Sequence, residues 1–213
     1  MQLSLKGLFL PKNLSADDIL QFQDRLCDAA EHLFVVHGPE AVTIRQLASA
    51  IGVSPMTPYR YFKDKDAILA AVRARAFDRH AQALETAYHA PASGPVERAV
   101  TVSGAYLRFA LEHPEAYKLM FDITQPGAEA YPDLVRAGER SRATMTRHIR
   151  DLTEAGLISG DPDLIGHMYW AAMHGPIMLQ LSGMLGADFT AERIVDGLTA
   201  AITKSIIAYP VET

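Results

Sequence analysis

The chain has 213 residues, with 20 Lys and Arg against 25 Asp and Glu and a formal net charge of −5, which argues against a surface that binds polyanions indiscriminately. It is long enough to bury one or two modest cores, and its one cysteine, Cys27, excludes an internal disulfide. No apolar run is long enough to span a bilayer; the apolar start is broken by Lys6 and followed by no small-residue cleavage site, so a cytoplasmic protein with no membrane partner is expected.

Residues 1–14 read as an N-terminal arm. Ser15, followed by Ala16, Asp17 and Asp18, opens a first helix with a cap and early acids. Phe22, Leu26, Ala30, Leu33 and Phe34 form its core stripe, and Gly38-Pro39 stops it. Thr43 caps a second helix in which Ile44, Leu47, Ala48 and Ile51 share one face. Gly52 supplies the positive φ of a sharp reversal, and Val53 closes the small core.

A third short helix follows. At about 100° per residue, Pro58 and Phe62 point inward. Met56, Thr57 and Arg60 lie opposite, displayed with Pro55 towards base edges, while Tyr59 and Tyr61 flank them where phosphate walls would stand. Pro58 lacks the amide that would bond to the Ser54 carbonyl. Either the first turn is tightened, or the regular helix begins with Thr57 as cap and Pro58 in first position; the second arrangement is the expected one. Between Ala41 and Lys65 four cations, Arg45, Arg60, Lys63 and Lys65, face one acid, Asp64, inside an acidic chain. A helix pair with a Gly turn and a local cationic, tyrosine-bearing second helix is the pattern of a helix-turn-helix entering the DNA major groove. Arg60 is the candidate for a bidentate guanine contact, worth about 1–3 kcal/mol of discrimination.

Gly52-Val53-Ser54 and the run Tyr59-Arg60-Tyr61-Phe62-Lys63-Asp64-Lys65-Asp66-Ala67-Ile68-Leu69 resemble the DNA-binding region of the TetR family of bacterial transcriptional regulators. The resemblance extends back through Asp28 to Gly38 and is specific over Arg25 to Leu69. It implies DNA contacts from Thr43, Arg45, Tyr59, Tyr61 and Lys65. The family more often has a non-proline apolar residue where Pro58 stands.

The remainder reads as helices with punctuation. Asp64 caps a fourth helix, with Ile68, Val72, Ala76, Leu84 and Tyr88 at helical spacing; residues 91–95 break it. Further helices are expected from Val96 to Glu112, from Pro114 to Asp122, from Pro132 to near Gly156, from Asp161-Pro162 towards Gly186, and from the Thr190 cap to about Ile207, with a loop at Gln125 to Ala128. The expectation is an all-α chain of about nine helices: a DNA-binding domain over 15–66 and a helical ligand-binding and dimerisation domain over 67–213.

The eighth expected helix is apolar on nearly every side and so must be buried on every side. One side is expected to face the domain interior and the other a second subunit. Ile177, Leu181 and Leu185, with Ile194, Leu198, Ile202 and Ile206 of the last helix, would form a four-helix homodimer interface, the arrangement that the resemblance implies. The segment Trp170 to Gly175, with Trp170, His174 and Gly175, also resembles the carboxy-terminal domain of one TetR subgroup. Tyr106, Phe109, Tyr117, Met120, Phe121, Met168, Tyr169, Met173 and His174 are candidates for the walls of a pocket for a small apolar or aromatic effector; an ordinary aromatic core is the competing reading. Asp163, His167 and His174 share a helical face, but no zinc-protease, phosphate-loop or nucleophile-elbow motif accompanies them, so no enzyme, metal or cofactor is expected. The function expected is a dimeric regulator of a near-palindromic double-stranded operator, a repressor released by a small molecule; the alternatives are an activator of the same fold and, behind it, a helical ligand-binding protein or enzyme that does not bind DNA.

Overall fold

A computed structural model of the chain describes residues 15–121 and 127–206. The N-terminal arm, Asp122, the start of the loop at Gln125 and the end of the last helix at Ile207 lie outside those residues. Among the described residues every regular element is helical: α1 (Ala16–His37), α2 (Ile44–Ala50), α3 (Lys65–His89), α4 (Pro95–Glu112), α5 (Pro114–Met120), α6 (Pro132–Glu154), α7 (Pro162–Leu181) and α8 (Ala191–Ile206). Short 3-10 turns stand at Pro58–Arg60 and Ala128–Ala130.

Helix starts follow from local side-chain chemistry. Ser15 and Asp18 form a reciprocal capping box on α1, and Thr43 and Gln46 another on α2. Asp64 accepts the Ala67 amide at 2.8 Å to open α3, and Asp161 accepts from Asp163 ahead of Pro162 to open α7. Gly52, at φ 71°, makes the reversal after α2 in a region that side chains with a Cβ disfavour. About nine helices were expected, and among the described residues eight α-helices form; the expected third is a three-residue 3-10 turn. Pro55 and Pro58 remove two amides from this segment, leaving i+3 bonds from Arg60 to Thr57 and from Tyr61 to Pro58. α7 stops at Leu181 rather than near Gly186.

Two apolar cores share α3. Leu26, Ala30 and Phe34 of α1, Val42, and Leu47 of α2 pack on Ile68, Leu69 and Val72 of α3, with Leu119 of α5 beside them. The second core gathers Ala76, Leu84 and Ala87 of α3 with Val102, Tyr106 and Phe109 of α4, Tyr117 and Met120 of α5, Met145 of α6, Met173 and Ile177 of α7, and Val195 of α8. Each fully buried large side chain contributes about 1.5–3 kcal/mol. α6 and α7 approach closely at Gly166, where a Cβ would stand 2.7 Å from the Thr146 methyl. α7 and α8 form a helix hairpin, tied by Gln180 accepting the Ala191 amide at 2.6 Å and by Tyr169 and Thr203 hydroxyls 2.6 Å apart.

Two histidines are sealed inside this frame, His80 at 1% and His148 at 4% exposure. Burial pushes each imidazole down from its ordinary 6.5 to about 4. Between those values the unfolded chain binds more protons than the folded one, so stability is complete above about pH 6.5 and falls as pH drops towards 4. The expected loss by pH 4 is on the order of 3 kcal/mol per histidine. Urea unfolding at about pH 7.5 and about pH 5 measures it: the midpoint should drop on acidification, and less so in His148→Leu. A pH-independent midpoint would contradict the burial argument.

Candidate nucleic-acid interface and cavity

The helix-turn-helix presents an exposed surface built from two elements. Arg45 projects from the first turn of α2, and Met56 (69% exposed), Tyr59 (50%) and Arg60 stand on or beside the 3-10 turn, with exposed Pro55 and Lys63 at its margins. Pro58 is buried and anchors that turn, with the Phe62 amide returning to its carbonyl at 3.0 Å. The expected division, Pro58 inward and Arg60 outward, therefore matches the structure, on a shorter element.

Other residues of the expected set have work inside the protein. The Thr43 hydroxyl accepts from the Gln46 amide and donates to Gln46 Oε1. Thr57 Oγ1 pairs with Ser54 Oγ at 2.9 Å and is half-buried. Tyr61 stacks on Phe22 of α1, centroids 4.0 Å apart, and is half-buried. The Lys65 ammonium donates to the Pro39 carbonyl at 2.6 Å and the Glu40 carbonyl at 3.4 Å, tying the α1–α2 connection to the start of α3.

A cavity of about 510 Å³ opens between α3, α4, α6 and α7. Of the expected pocket residues it collects Tyr106 and Phe121. Phe109, Tyr117, Met120 and Met173 are core residues instead, none more than 5% exposed. Met168 is 38% exposed, Tyr169 is engaged with Thr203, and His174 bonds to Tyr117. Further wall comes from Arg73, Phe77 and His80 of α3 and Ser141 and Met145 of α6, which the sequence pattern did not single out, and from His167 and Trp170 of α7, which it named for other reasons. One signal was present, since His80 continues the α3 stripe Ile68, Val72, Ala76, Leu84 and so had to point inward.

A chain of hydrogen bonds runs behind the cavity. Trp170 Nε1 donates to the Tyr106 hydroxyl at 3.1 Å, the Tyr106 and Tyr117 hydroxyls are 2.6 Å apart, and Tyr117 lies 2.7 Å from His174 Nδ1. An indole only donates, so Tyr106 accepts from Trp170 at one end, and burial lowers the His174 pKa at the other, which favours a neutral ring. The chain joins Trp170 through both tyrosines to His174. Of the residues weighed for an acid–base site, the Asp163 carboxylate is held by Arg150 at 2.6 Å, and His167 Nδ1 lies 2.7 Å from the Asp163 carbonyl oxygen.

On the single chain the apolar residues of α7 and α8 divide into two sets. Ile177 is fully buried and Ile206 is 9% exposed, both in the chain's own core, which corrects their placement at a subunit interface: the face of an all-apolar helix that turns inward is set by its neighbours. Ile202 packs against the Ile149, Ile158, Ile165 and Ile206 cluster. Leu181, Leu185 and Ile194 are half-buried. Leu164 (60%), Leu179 (45%) and Leu198 (42%) are exposed.

Comparison with known proteins meets this geometry at both ends. Residues 26–72 match the family described as bacterial regulatory proteins, tetR family, and residues 99–202 the one described as Tetracyclin repressor-like, C-terminal domain. An uncharacterized HTH-type transcriptional regulator of Mycobacterium tuberculosis is 32% identical over 103 residues, 48% of this chain and 50% of that protein; the match spans about half the length of that relative. A protein with unknown function from Rhodococcus sp. RHA1 has a solved structure with a TM-score of 0.76 at 29% identity, covering 93% of this chain and 99% of that one. The TetR family transcriptional regulator PfmR from Thermus thermophilus shares the fold, with a TM-score of 0.67 at 22% identity over 85% of this chain and 98% of its own. With its helix-turn-helix and its helical second half each matched, the chain belongs to the TetR family of DNA-binding transcriptional regulators.

Proposed function

We propose that the protein is a homodimeric, cytoplasmic repressor that holds a near-palindromic operator and releases it when a small, mainly apolar molecule enters the 510 Å³ cavity. The observation that carries this reading is the continuity of α3. Its first turn is bonded to the α1–α2 connection through Lys65, and one side of its middle, at Phe77 and His80, walls the cavity. About 22 Å of unbroken helix separates Lys65 from His80. A ligand that favours one orientation of α3 would thereby favour one spacing of the two helix-turn-helix units. A coupling of about 1–3 kcal/mol corresponds to roughly 5–150-fold weaker operator binding.

DNA recognition is assigned to the exposed, internally uncommitted side chains. Arg60→Ala is expected to relax base preference within each half-site at a cost of about 1–3 kcal/mol. Lys63→Ala should weaken all sequences alike and reduce the slope of log affinity against log salt by about one unit for each phosphate no longer neutralised. Binding titrations on operator and scrambled duplexes at several salt concentrations distinguish these; unchanged specificity and slope in both variants would refute the assignment.

Dimerisation is assigned to the apolar residues left uncovered on α7 and α8. Leu198→Asp, at a position 42% exposed on the single chain, should yield folded monomers with much weakened operator binding, because each retains one half-site. Ile177→Asp, at a fully buried position, should instead unfold the chain, since it seals a carboxylate in the core. Sedimentation and circular dichroism read both outcomes; an intact Leu198→Asp dimer would move the interface elsewhere.

A further inference from the structure

Met56 stands at the corner of a turn that is tied twice. The Thr57 amide donates to the Ser54 carbonyl at 2.9 Å, and the Ser54 and Thr57 hydroxyls pair at 2.9 Å across the same four residues. Pro55 fixes φ at the corner before it. A second turn follows directly, with the Arg60 amide donating to the Thr57 carbonyl at 3.1 Å. The backbone that carries Met56 and Arg60 is therefore set by local bonds before any DNA arrives.

The Met56 side chain itself is left in water. It is 69% exposed and takes no part in the core against which Ile51 and Phe62 pack. A lone exposed methionine on an arbitrary surface is ordinary. This one stands on the helix-turn-helix of a DNA-binding family, on a surface that also exposes Tyr59, Arg45, Arg60 and Lys63. Those cations suit a polyanion, and a duplex seated on them would take Met56 out of water with them.

The chemistry of base edges then narrows what Met56 can meet. In the major groove guanine, adenine and cytosine present hydrogen-bond donors and acceptors, and thymine alone adds an apolar group, its C5 methyl. A thioether has no hydrogen to donate and is a weak acceptor. Laid on a purine edge, it would strip water from polar groups that it cannot satisfy, which is costly. Laid against the thymine methyl, it covers one apolar group with another, and its unbranched chain can follow the methyl's position. Arg60 brings the complementary chemistry, a fork of donors suited to guanine O6 and N7.

We infer that Met56 reads the C5 methyl of thymine, so that each half-site carries a thymine within a few base pairs of the base that Arg60 contacts. The inference rests on the major-groove assignment of this turn given above and adds the base feature that it selects.

Deoxyuridine tests it, because it pairs as thymidine does and lacks only the methyl. Selection from a random-sequence duplex library with the full chain yields a bound duplex, and its thymines are then replaced one at a time. Wild-type affinity should fall about fourfold at the thymine in question, the value of one buried methyl. Met56→Ala should bind the thymine and uracil forms of that position alike, and Met56→Leu should keep the difference. Full sensitivity in Met56→Ala would assign the methyl to another side chain or to duplex stiffness and overturn the inference, as would a duplex in which no thymine is sensitive. Arg60→Ala on the same duplexes separates the two readings. Relaxed base preference in that variant beside silent uracil substitutions leaves the groove assignment standing and defeats the Met56 inference alone; no change in either defeats both.

Discussion

α3 is the element on which the rest of the structure depends, because one uninterrupted helix belongs to both cores. Its 25 residues extend for about 37 Å. Ile68 and Val72 are packed among α1 and α2, and a turn later Ala76 and Leu84 are packed among α4, α5 and α6. Close-packed interiors deform little, so a rotation imposed on the second half of α3 is delivered to the first. Charged side chains hold the same helix from outside: Arg75 reaches Asp28 at 2.8 Å and Arg79 reaches Glu31 at 2.6 Å on α1. On the other side Arg140 of α6 takes Glu85 in a bidentate grip and Asp78 beside it. Exposed pairs of this kind contribute little stability singly, but here they fix the rotational setting of α3 against α1 and α6.

Polar groups inside the second half fall into two classes with different consequences. The Trp170–Tyr106–Tyr117–His174 chain gives each of its hydroxyls a partner, so it specifies how α4, α5 and α7 meet. His80 and Ser141 satisfy each other only in part. A complete network rigidifies; an incomplete one leaves a preference unmet. Tyr106 and Trp170 of the first set and His80 and Ser141 of the second line the same cavity.

Local chemistry was legible in the residues, and collective packing was not. The caps at Ser15, Thr43, Asp64 and Asp161 could be read because each is settled by a side chain and an amide a few residues apart. The Gly52 reversal and the inward Pro58 were legible for the same reason. The cavity was not, because a void forms where several helices fail to fill the space between them, and periodicity reports only which face of one helix is apolar. For α7 even that failed: with nearly every side apolar, nothing in the pattern distinguished Ile177, which is buried, from Leu164 and Leu179, which are exposed. Tyr61 and Lys65 show a related limit. Their types suit phosphate contacts, but stacking on Phe22 and bonding to Pro39 depend on where α1 lies.

The proline-bounded 3-10 turn that stands where a recognition helix would be has a consequence for how sequence is read. A helix of three or four turns lays many side chains along a groove; a three-residue turn offers Met56, Tyr59 and Arg60 and little more. In the proposed dimer, direct base readout in each half-site would be confined to a few neighbouring base pairs. Discrimination over a longer operator would then come from how readily the flanking duplex adopts the curvature and groove width that two such short probes require, so that part of the operator would be written in the stiffness of base steps the protein never touches.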